Sequence, residues 1–564
     1  MIRINQLKLP VGHNNEELRR KIAKKLKFSA DVFFIYEIVK RSIDARKKPK
    51  IFYSYVIDVT LDVDRSGQQN AGNNTKAKAI NNKHEEKIIN RLNDPQVVIY
   101  NPTKYNFPFR INPHQIPETA RPIIIGAGPA GLFCAYMLAK AGFRPLLIER
   151  GEAVEEREIT VASFWKTGLL NPESNVQFGE GGAGTFSDGK LNTQIKDKDG
   201  LRKEVLKIFV ALGAPEKILF EQKPHLGTDI LKNIVVEMRK AIIRCGGEVR
   251  FGQKLEKLII NEDSACGKRI SGILLDDGKE IKTNYLILAI GHSARDTFAM
   301  LNEFNIPMEA KPFAVGMRVS HPQRLINQAK YGVSVHEFLE SADYKLVSNQ
   351  KERAVFSFCM CPGGYIVNAS SEADHLVVNG MSYSNRAESR ANSAIVLAVG
   401  TEEFGSLHPL AGIAYQRRLE EKAYKIGKGK IPISYYGDFK NAVTNAKEAS
   451  KGDKDSFLKA PCIKGEWCFA PLSEILPTDL KITFIKAMNE FGRRIPGFDD
   501  DNTIIAGVES RTSSPVRILR DAGYQSACQG LFPCGEGAGY AGGIMSAAMD
   551  GIRVACAAAK EIIK

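Results

Sequence analysis

The sequence predicts an α/β protein with a discontinuous Rossmann-like dinucleotide-binding domain, an inserted mixed α+β domain and a small N-terminal α/β module. Three observations support this prediction. An apolar strand, a Gly-x-Gly-x-x-Gly loop and a helix follow one another at 122–142. Apolar segments that end in glycine recur at 282–291 and 531–543, and a basic segment with strand and helix patterns begins the chain. The length of 564 residues also favours several domains.

Composition and cysteine usage narrow the class of protein. With 43% hydrophobic and 25% charged residues, the chain is typical of soluble globular proteins. No run reaches the roughly 18 apolar residues that a membrane helix needs, so we expect no membrane insertion. The first residues lack the apolar core of a secretory signal. The ten cysteines are scattered without zinc-type spacing, so we expect reduced thiols, a cytoplasmic location and no metal site.

The N-terminal module is predicted to span residues 1–110, with a mobile loop at 64–87. Residues 2–10 alternate like a strand, 14–27 have helical spacing behind an asparagine cap, and 33–50 and 50–63 contain two further strands. Over residues 1–60, fourteen Lys and Arg face six acids (14 − 6 = +8), about half of the total net charge of +15. Such a module suits RNA or an acidic partner, but a solvated surface is the favoured interpretation, so nucleic acid is not the favoured partner.

The first dinucleotide motif occupies residues 126–131. Gly126 makes a tight turn, Gly128 lets the backbone approach a pyrophosphate, and Gly131 lets the helix pack closely on the strand. An acid, Glu149, follows the second strand 23 residues after Gly126, where it can accept hydrogen bonds from ribose hydroxyls. The cofactor-binding residues predicted from this unit are Gly126, Gly128, Pro129, Ala130, Gly131, Glu149 and Arg150.

Two later segments favour FAD over NAD. The strand at 282–291 ends in small residues that suit close passage beside a cofactor. Near the C-terminus, a Gly-Glu-Gly sequence and a Gly-Gly pair precede a long helix, whose N-terminal amides would stabilise negative charge on a reduced flavin. Glu536 is expected to accept from the ribityl chain. The further predicted cofactor-binding residues are Leu255, Ala289, Gly291, Gly535, Glu536, Gly542, Gly543 and Ile544.

The separation of these segments predicts a discontinuous FAD-binding domain. It comprises residues 119–301 and 503–564, and residues 302–502 form an inserted substrate or cap domain between them. The substrate face of the cofactor would then be shaped by the inserted domain.

Several long strings in the chain resemble a known family. They are "FGEGGAGTFSDGKLNT", "FSFCMCPGGYIVNASSE", "VNGMSYSNR", "GVESRTSSPVRILRD" and "CGEGAGYAGGIMSAAMDGI". They are similar to sequences of a widespread bacterial family of uncharacterised FAD-dependent oxidoreductases, also called NAD(FAD)-utilising dehydrogenases, of the two-dinucleotide-fold flavoprotein type. The resemblance extends over essentially the whole chain. It implies FAD and a two-domain flavoprotein core, and it supplies no substrate.

The glycine-rich stretch 178–193 is expected to lie along the cofactor. Backbone amides of Gly181, Gly182 and Gly184 would approach the pyrophosphate and ribityl region. Four polar residues would line the flavin edge or the active cavity, namely Thr185, Ser187, Asp188 and Lys190. Lys190 suits stabilisation of reduced flavin or of an anionic substrate, and the alternative is a plain salt bridge to Asp188.

Four residues are candidates for catalysis: Lys190, Arg511, Glu509 and Cys359. The segment "ESRTSSPVRI" offers Glu509 and Arg511 as a charge pair, in which Arg511 would hold an anionic substrate or the flavin. The alternative is a structural pair that bridges two domains. Cys359 is either a thiol near the substrate or a buried small residue, and an extended strand would turn Cys361 to the same side. His292 is an acid or base candidate, or else a neutral capping histidine.

The function expected from these features is that of an FAD-dependent oxidoreductase. A hydride would pass through non-covalent FAD between an unidentified small-molecule substrate or NAD(P)H and an acceptor. We identify no second Gly-x-Gly-x-x-Gly motif with a strand and a helix of its own, which would mark a dedicated nicotinamide domain, so NAD(P)H would dock transiently as electron donor. Two alternatives stay open: an RNA-binding or tRNA-modifying flavoprotein that uses the basic module, and a flavin-bound structural or sensory protein without turnover.

Overall fold

The computed structural model of the chain describes residues 1–28, 32–61, 85–263, 267–350, 353–445 and 461–564, and these form a mixed α/β fold. The predicted fold class is confirmed. The strands are β1 (Ile2–Pro10), β2 (Phe34–Asp44), β3 (Phe52–Leu61), β4 (Val97–Ile99), β5 (Ile123–Ile125), β6 (Leu146–Ile148), β7 (Glu248–Arg250), β8 (Leu255–Asp263), β9 (Gly267–Leu275), β10 (Glu280–Lys282), β11 (Leu286–Leu288), β12 (Met308–Ala310), β13 (Phe313–Pro322), β14 (Val347–Gln350), β15 (Arg353–Cys361), β16 (Tyr365–Asn368), β17 (Val378–Met381), β18 (Arg390–Val399), β19 (Ile431–Tyr435), β20 (Ile463–Lys464), β21 (Trp467–Phe469), β22 (Ile504–Glu509), β23 (Val516–Ile518) and β24 (Leu531–Pro533).

Apart from a helical segment at 85–92, the described residues form twelve α-helices. They are α1 (Asn15–Leu26), α2 (Pro129–Lys140), α3 (Val154–Thr167), α4 (Leu201–Ala211), α5 (Thr228–Arg244), α6 (Arg295–Glu303), α7 (Gln323–Tyr331), α8 (Thr401–Phe404), α9 (Ala411–Gly427), α10 (Tyr436–Thr444), α11 (Thr478–Arg494) and α12 (Ile544–Ile563). None of the helices in the described part of the chain combines the length and the apolar character needed to cross a membrane.

A parallel sheet of five strands forms the dinucleotide-binding part, in the order β24-β11-β5-β6-β7. Its central strand β5 is buried along its whole length, as an apolar strand covered on both faces must be. The chain passes from β5 through α2 to β6 on one side, whereas β11 and β24 add to the other side. Strands from both ends of the chain therefore share one sheet, and a crevice opens at their carboxyl ends.

A second sheet of seven strands lies in the predicted inserted region, in the order β14-β15-β18-β13-β22-β19-β21. Its central strands β13 and β18 are buried at nearly every position. The apolar residues of this sheet form a core with those of α9, α10 and α11. Strand β22 lies beyond the boundary predicted at residue 502, and the domain boundaries remain a prediction.

The N-terminal module is a four-stranded sheet in the order β2-β3-β1-β4, covered by α1. Leu18, Ile22 and Leu26 of α1 face the sheet because they recur at helical spacing. The predicted asparagine cap is Asn14, whose side chain accepts from the Glu17 N–H at 2.9 Å. Strands β1, β2 and β3 and helix α1 lie where the sequence predicts them, whereas β4 was not predicted.

The loop predicted at 64–87 falls mostly outside the described residues. Its last three residues belong to a helical segment at 85–92, where the Glu85 carboxylate lies 2.7 Å from the N-terminal ammonium group of Met1. Basic side chains of the module are engaged elsewhere by carboxylates, for example Arg3 by Asp58 at 2.6 Å. Nothing in the described residues supports a nucleic-acid partner.

Candidate active site

A cavity of about 600 Å³ lies at the carboxyl ends of β5, β6 and β11 and reaches the seven-stranded sheet. The loop after β5, the stretch 177–190 and the segment before α12 form one part of its wall. Residues 358–361, 379–380 and 511–513 form the other part. The predicted cofactor-binding residues that line it are Gly126, Gly128, Pro129, Ala130, Glu149, Arg150, Gly182, Gly184, Asp188, Lys190, Leu255, Ala289, Gly291, Glu536, Gly542, Gly543 and Ile544.

The glycines of the first motif serve different physical needs. Gly126 has a φ of +100°, and a side chain there would meet the carbonyl oxygen of Ala289. A side chain at Gly131 would strike the carbonyl of Gly126, so close packing of α2 on the loop requires glycine. At Gly128 the nearest atom to an added Cβ lies 4.0 Å away, at the Cα of Gly182, so this position faces open cavity.

Four predicted cofactor residues do not line this cavity: Gly131, Gly181, Thr185 and Gly535. Gly181 and Thr185 border a separate apolar cavity of about 30 Å³ behind the glycine-rich stretch. The Thr185 hydroxyl donates to the Glu180 carbonyl at 3.2 Å, which turns it away from the main cavity. The prediction that Thr185 lines the active cavity is therefore wrong. The Gly535 N–H donates to the Asp550 carboxylate at 2.7 Å.

Glu149 joins three loops through its carboxylate. It accepts from the N–H groups of Ala127 at 2.7 Å, Gly151 at 3.0 Å and Gly179 at 2.9 Å. A carboxylate has about four lone-pair sites, so roughly one acceptor position is left for a ligand in the cavity. Acceptance from ribose hydroxyls stays a prediction, and the structure adds a second role as organiser of the loops.

Arg157, on α3, organises the same stretch, although no sequence motif indicates this role. Its guanidinium is fully buried and donates to four backbone carbonyls. These belong to Asn175 (2.9 Å), Glu180 (2.6 Å), Gly182 (3.0 Å) and Val176 (3.1 Å). Burial lowers the pKa of Arg157 to about 10, so the side chain remains charged at neutral pH. One cation therefore shapes the loop beneath the cavity.

Lys190 forms a salt bridge to Asp188 and also lines the cavity, which are the two alternatives considered for it from the sequence. Its Nζ lies 2.9 Å from the Asp188 carboxylate, donates to the Met360 carbonyl, and also lines the cavity. Asp188 further accepts from Arg386 at 2.6 Å and from the Ser382 hydroxyl. Burial, the largest single effect, would lower the pKa of Lys190, but the Asp188 carboxylate and the nearby Cys361 and Cys359 together outweigh it, and the pKa is raised overall. Lys190 therefore carries its charge at neutral pH.

Glu509 and Arg511 do not pair with each other, so the predicted charge pair is wrong. Glu509 faces the seven-stranded sheet, where Arg318 donates to it at 2.9 Å and 3.1 Å. Arg511 turns toward α9 and donates to Glu420 at 3.0 Å and 2.8 Å. The side chains diverge because β22 ends at Glu509. Arg511 lines the cavity and Glu509 does not.

Cys359 lies in a bulge of β15, between Phe358 and Cys361, and has a φ of +40°. Cys359 and Cys361 both line the cavity, and both are free thiols. The Cys361 thiol donates to the Cys359 carbonyl at 3.2 Å. Cys359 is exposed to the cavity, and partial desolvation by the protein around it raises the pKa of its thiol above the ordinary value. Cys359 is thus a neutral thiol at neutral pH rather than a thiolate nucleophile.

His292 and Glu536 lie together on the cavity wall. Nδ1 of His292 lies 3.4 Å from Glu536 Oε1, and the Gly543 N–H donates to Glu536 Oε2 at 3.0 Å. Burial would raise the pKa of Glu536, but the contacts with His292 and the Gly543 amide lower it. The Nε2 atom of His292 is buried and has no hydrogen-bond partner among the residues that the structure describes.

These features fit a dinucleotide in the cavity. A Cβ at Gly291, Gly542 or Gly543 would meet no atom within 4 Å, so all three leave open space along the wall. An orphaned ring nitrogen on the same wall calls for a polar ligand. The parallel sheet, the glycine loop and the cavity at its carboxyl edge define a dinucleotide-binding protein.

Comparison with known proteins identifies the family. Residues 312–512 match a model described as FAD-dependent protein, C-terminal domain-like, and residues 124–154 match an NAD(P)-binding Rossmann-like domain. Residues 1–60 match a domain of unknown function, DUF8436. An uncharacterised protein of Clostridium beijerinckii is 42% identical over 561 residues, which is 98% of each chain. The chain belongs to this family of FAD-dependent oxidoreductases, and its cofactor is FAD.

Three solved structures show weak similarity to this chain. The match to the E. coli quinol fumarate reductase FrdA covers 78% of this chain and 69% of the FrdA chain, with 11% identity and a TM-score of 0.34. The match to the L-proline dehydrogenase of P. horikoshii covers 78% of this chain and 93% of the dehydrogenase chain, with 12% identity and a TM-score of 0.31. The halogenase PltM with phloroglucinol and FAD covers 76% and 66%, with 11% identity and a TM-score of 0.33. At this level of similarity, no substrate transfers to this chain.

Proposed function

We propose that this protein transfers a hydride between an unidentified small-molecule substrate, or NAD(P)H, and an acceptor. The observation that carries the proposal is one continuous cavity, bounded by the dinucleotide loops on one side and by residues of the seven-stranded sheet on the other. FAD, when bound non-covalently there, supplies the hydride chemistry. The residues of the chain bind it, orient the reactants and exclude water.

Each end of the cofactor has residues suited to hold it. The glycine loop 126–131 and the N-terminus of α2 suit the pyrophosphate, because free amides and the helix dipole favour an anion. Glu149 suits the adenosine ribose and Glu536 the ribityl chain. The N-terminus of α12, after Gly543, suits the flavin edge on which negative charge develops.

The opposite wall supports the substrate. It includes Phe358, Cys359, Asn379, Thr512 and Ser513. Behind it, buried ion pairs fix the backbone, which is the arrangement that holds a reacting molecule in one geometry. Arg511 belongs to this supporting layer as well as to the wall, because both of its terminal nitrogens are already engaged.

The decisive experiment follows the flavin spectrum. FAD-loaded protein is mixed anaerobically with NADH, NADPH and a panel of reduced metabolites, and bleaching of the visible absorbance is recorded. We expect rapid bleaching by at least one compound and recovery of colour with an acceptor. A protein that holds FAD but is neither reduced nor reoxidised at a useful rate would instead be a structural or sensory flavoprotein.

The position of the cofactor is tested by Gly128→Val. The added side chain would project into the cavity where the pyrophosphate is expected, so we expect loss of bound FAD, measured as the ratio of flavin to protein after gel filtration. Ala162→Val, at an exposed position of α3, is the matched control and retains FAD. Stoichiometric FAD in the Gly128 variant would contradict this placement.

A further inference from the structure

The cavity wall around Lys190 presents hydrogen-bond donors that the protein itself does not use. The ammonium group contacts Asp188 at 2.9 Å and donates to the Met360 carbonyl. An ammonium group has three N–H donors, so one remains. The Lys190 side chain is 31% exposed and lines the cavity, which is where the remaining donor is available.

Asn379 adds a second donor to this wall. Its Oδ1 accepts from Arg318 Nη2 at 3.3 Å and from the Gly380 N–H at 2.7 Å. Because a guanidinium and an amide N–H can only donate, these contacts fix which end of the Asn379 side chain is oxygen. The NH₂ group is left without an acceptor among residues of the described ranges, and Asn379 lines the cavity.

The acceptors of the same wall are occupied. The Asp188 carboxylate accepts from Arg386 at 2.6 Å and from Ser382, in addition to its ion pair with the lysine. The Cys359 carbonyl accepts from Arg318 Nη1 at 3.3 Å. Two cationic side chains thus surround one carboxylate, which leaves a net positive charge. A donor-rich, positive wall recognises a ligand group that only accepts and is negatively charged.

We propose that this wall binds a carboxylate of the substrate, so that the unidentified substrate is a small carboxylic acid. One oxygen accepts from Lys190 and the other from Asn379. The two donors lie on the same part of the wall because both are tied to neighbouring residues of β15. Lys190 donates to the Met360 carbonyl. Arg318 donates both to Asn379 and to the carbonyl of Cys359, the residue before Met360. A planar group with two oxygens matches two donors, whereas a phosphate would leave oxygens unpaired. This inference rests on the proposed function, since the flavin must lie beside the same wall.

The test compares acids with their neutral amides. FAD-loaded protein is titrated with acetate, succinate and benzoate, with acetamide, succinamide and benzamide, and with inorganic phosphate, and the visible spectrum reports binding. We expect at least one acid to bind about tenfold or more tightly than its amide. Lys190→Met should weaken the binding of that acid about ten- to hundredfold, as expected for loss of a charged hydrogen bond. The affinity for the amide should stay within about twofold of the wild-type value. Lys190→Arg should retain most of the preference.

The control and the contrary outcomes are specific. Lys240→Met removes a surface lysine paired with Glu237 at 2.8 Å and should leave the acid preference unchanged. Equal affinities of acid and amide, or no spectral response to any acid, would overturn the inference. So would phosphate binding as tight as that of the acids. A further contrary outcome is that Lys190→Met changes the visible spectrum of the FAD-loaded protein in the absence of ligand but leaves its affinity for acids unchanged. That result would show that the donors contact the flavin and not a substrate. Failure of the wild-type protein to hold FAD would contradict the proposed function itself.

Discussion

Arg511 and Glu420 form a two-pronged ion pair inside the protein, with distances of 3.0 Å and 2.8 Å between nitrogen and oxygen atoms. Arg295, at the start of α6, donates to the same carboxylate at 2.8 Å. Burial alone would raise the pKa of Glu420, but the two guanidinium groups hold it well below its usual range. A charged carboxylate on α9 therefore joins the segment after β22 to the helix that follows β11.

Replacement of Arg511 by Met is expected to destabilise the fold strongly. The buried Glu420 carboxylate would still pair with Arg295 but would lose the second of its two guanidinium partners. Breaking a buried ion pair lowers the free energy of unfolding by about 3–5 kcal/mol. The measurement is the free energy of unfolding of FAD-free protein in urea at pH 7. Arg20→Met is the control, because Arg20 is exposed and pairs with Glu16 at the surface of α1, where an ion pair contributes about 0–1 kcal/mol. Equal losses in both variants would contradict this account.

Replacement of Glu149 by Gln is expected to weaken FAD binding about tenfold or more. The amide keeps one oxygen but directs an NH₂ group at backbone N–H groups of Ala127, Gly151 or Gly179, so at least one of them loses its acceptor. The dissociation constant is measured by fluorescence titration of FAD-free protein with FAD. Glu156→Gln, an exposed residue on α3, should bind FAD like the wild type. Unchanged affinity at Glu149 would mean that its carboxylate is dispensable.

Local sequence patterns predicted the elements that bind the dinucleotide because their requirements are local. The turn at Gly126, the packing of Gly131 and the helix after Gly543 each depend on a few neighbouring residues. The same holds for the capped helix at Asn14. Such local motifs can be recognised without knowing which distant residues they contact in the folded protein.

The partners of the charged side chains were not predictable in this way. The pattern of residues 509–511 suggested a pair, but the strand ends between Glu509 and Arg511, so each meets a residue from a distant segment: Arg318 for the first and Glu420 for the second. Arg157 gave no signal at all, because a helical arginine is ordinarily solvated. Only the folded chain brings the 175–182 loop around it.

Replacement of Arg157 by Met is expected to loosen the loop that it holds. Four carbonyls would lose their donor, so amide exchange within 175–182 should accelerate and FAD affinity should fall about tenfold or more. Arg157→Lys should recover only part of both effects, since an ammonium cannot match the fork of a guanidinium. Hydrogen exchange followed by mass spectrometry reports the loop, with Lys166→Met on the same helix as control. Unchanged exchange in the loop would contradict the positioning role.

Glu180 makes the stability of the protein depend on pH in a defined direction. Its side chain is fully buried beside Arg239, at 3.4 Å, and accepts from the Val154 N–H at 2.9 Å. Burial raises the pKa of Glu180 from 4.5 to about 7. Between these values the folded protein holds a proton that the unfolded chain has released. The free energy of unfolding therefore falls as the pH rises through this window.

Replacement of Glu180 by Gln is expected to abolish this dependence. The contribution of Glu180 is present in full below about pH 4.5 and is lost as the pH passes about 7, a change of about 3 kcal/mol for a shift of this size. The difference in unfolding free energy between wild type and variant is measured from pH 4.5 to 8 on FAD-free protein, so that other titrating groups cancel. Glu156→Gln should give a flat difference. A flat difference for Glu180→Gln as well would show that its carboxyl group titrates in the folded protein as it does in the unfolded chain.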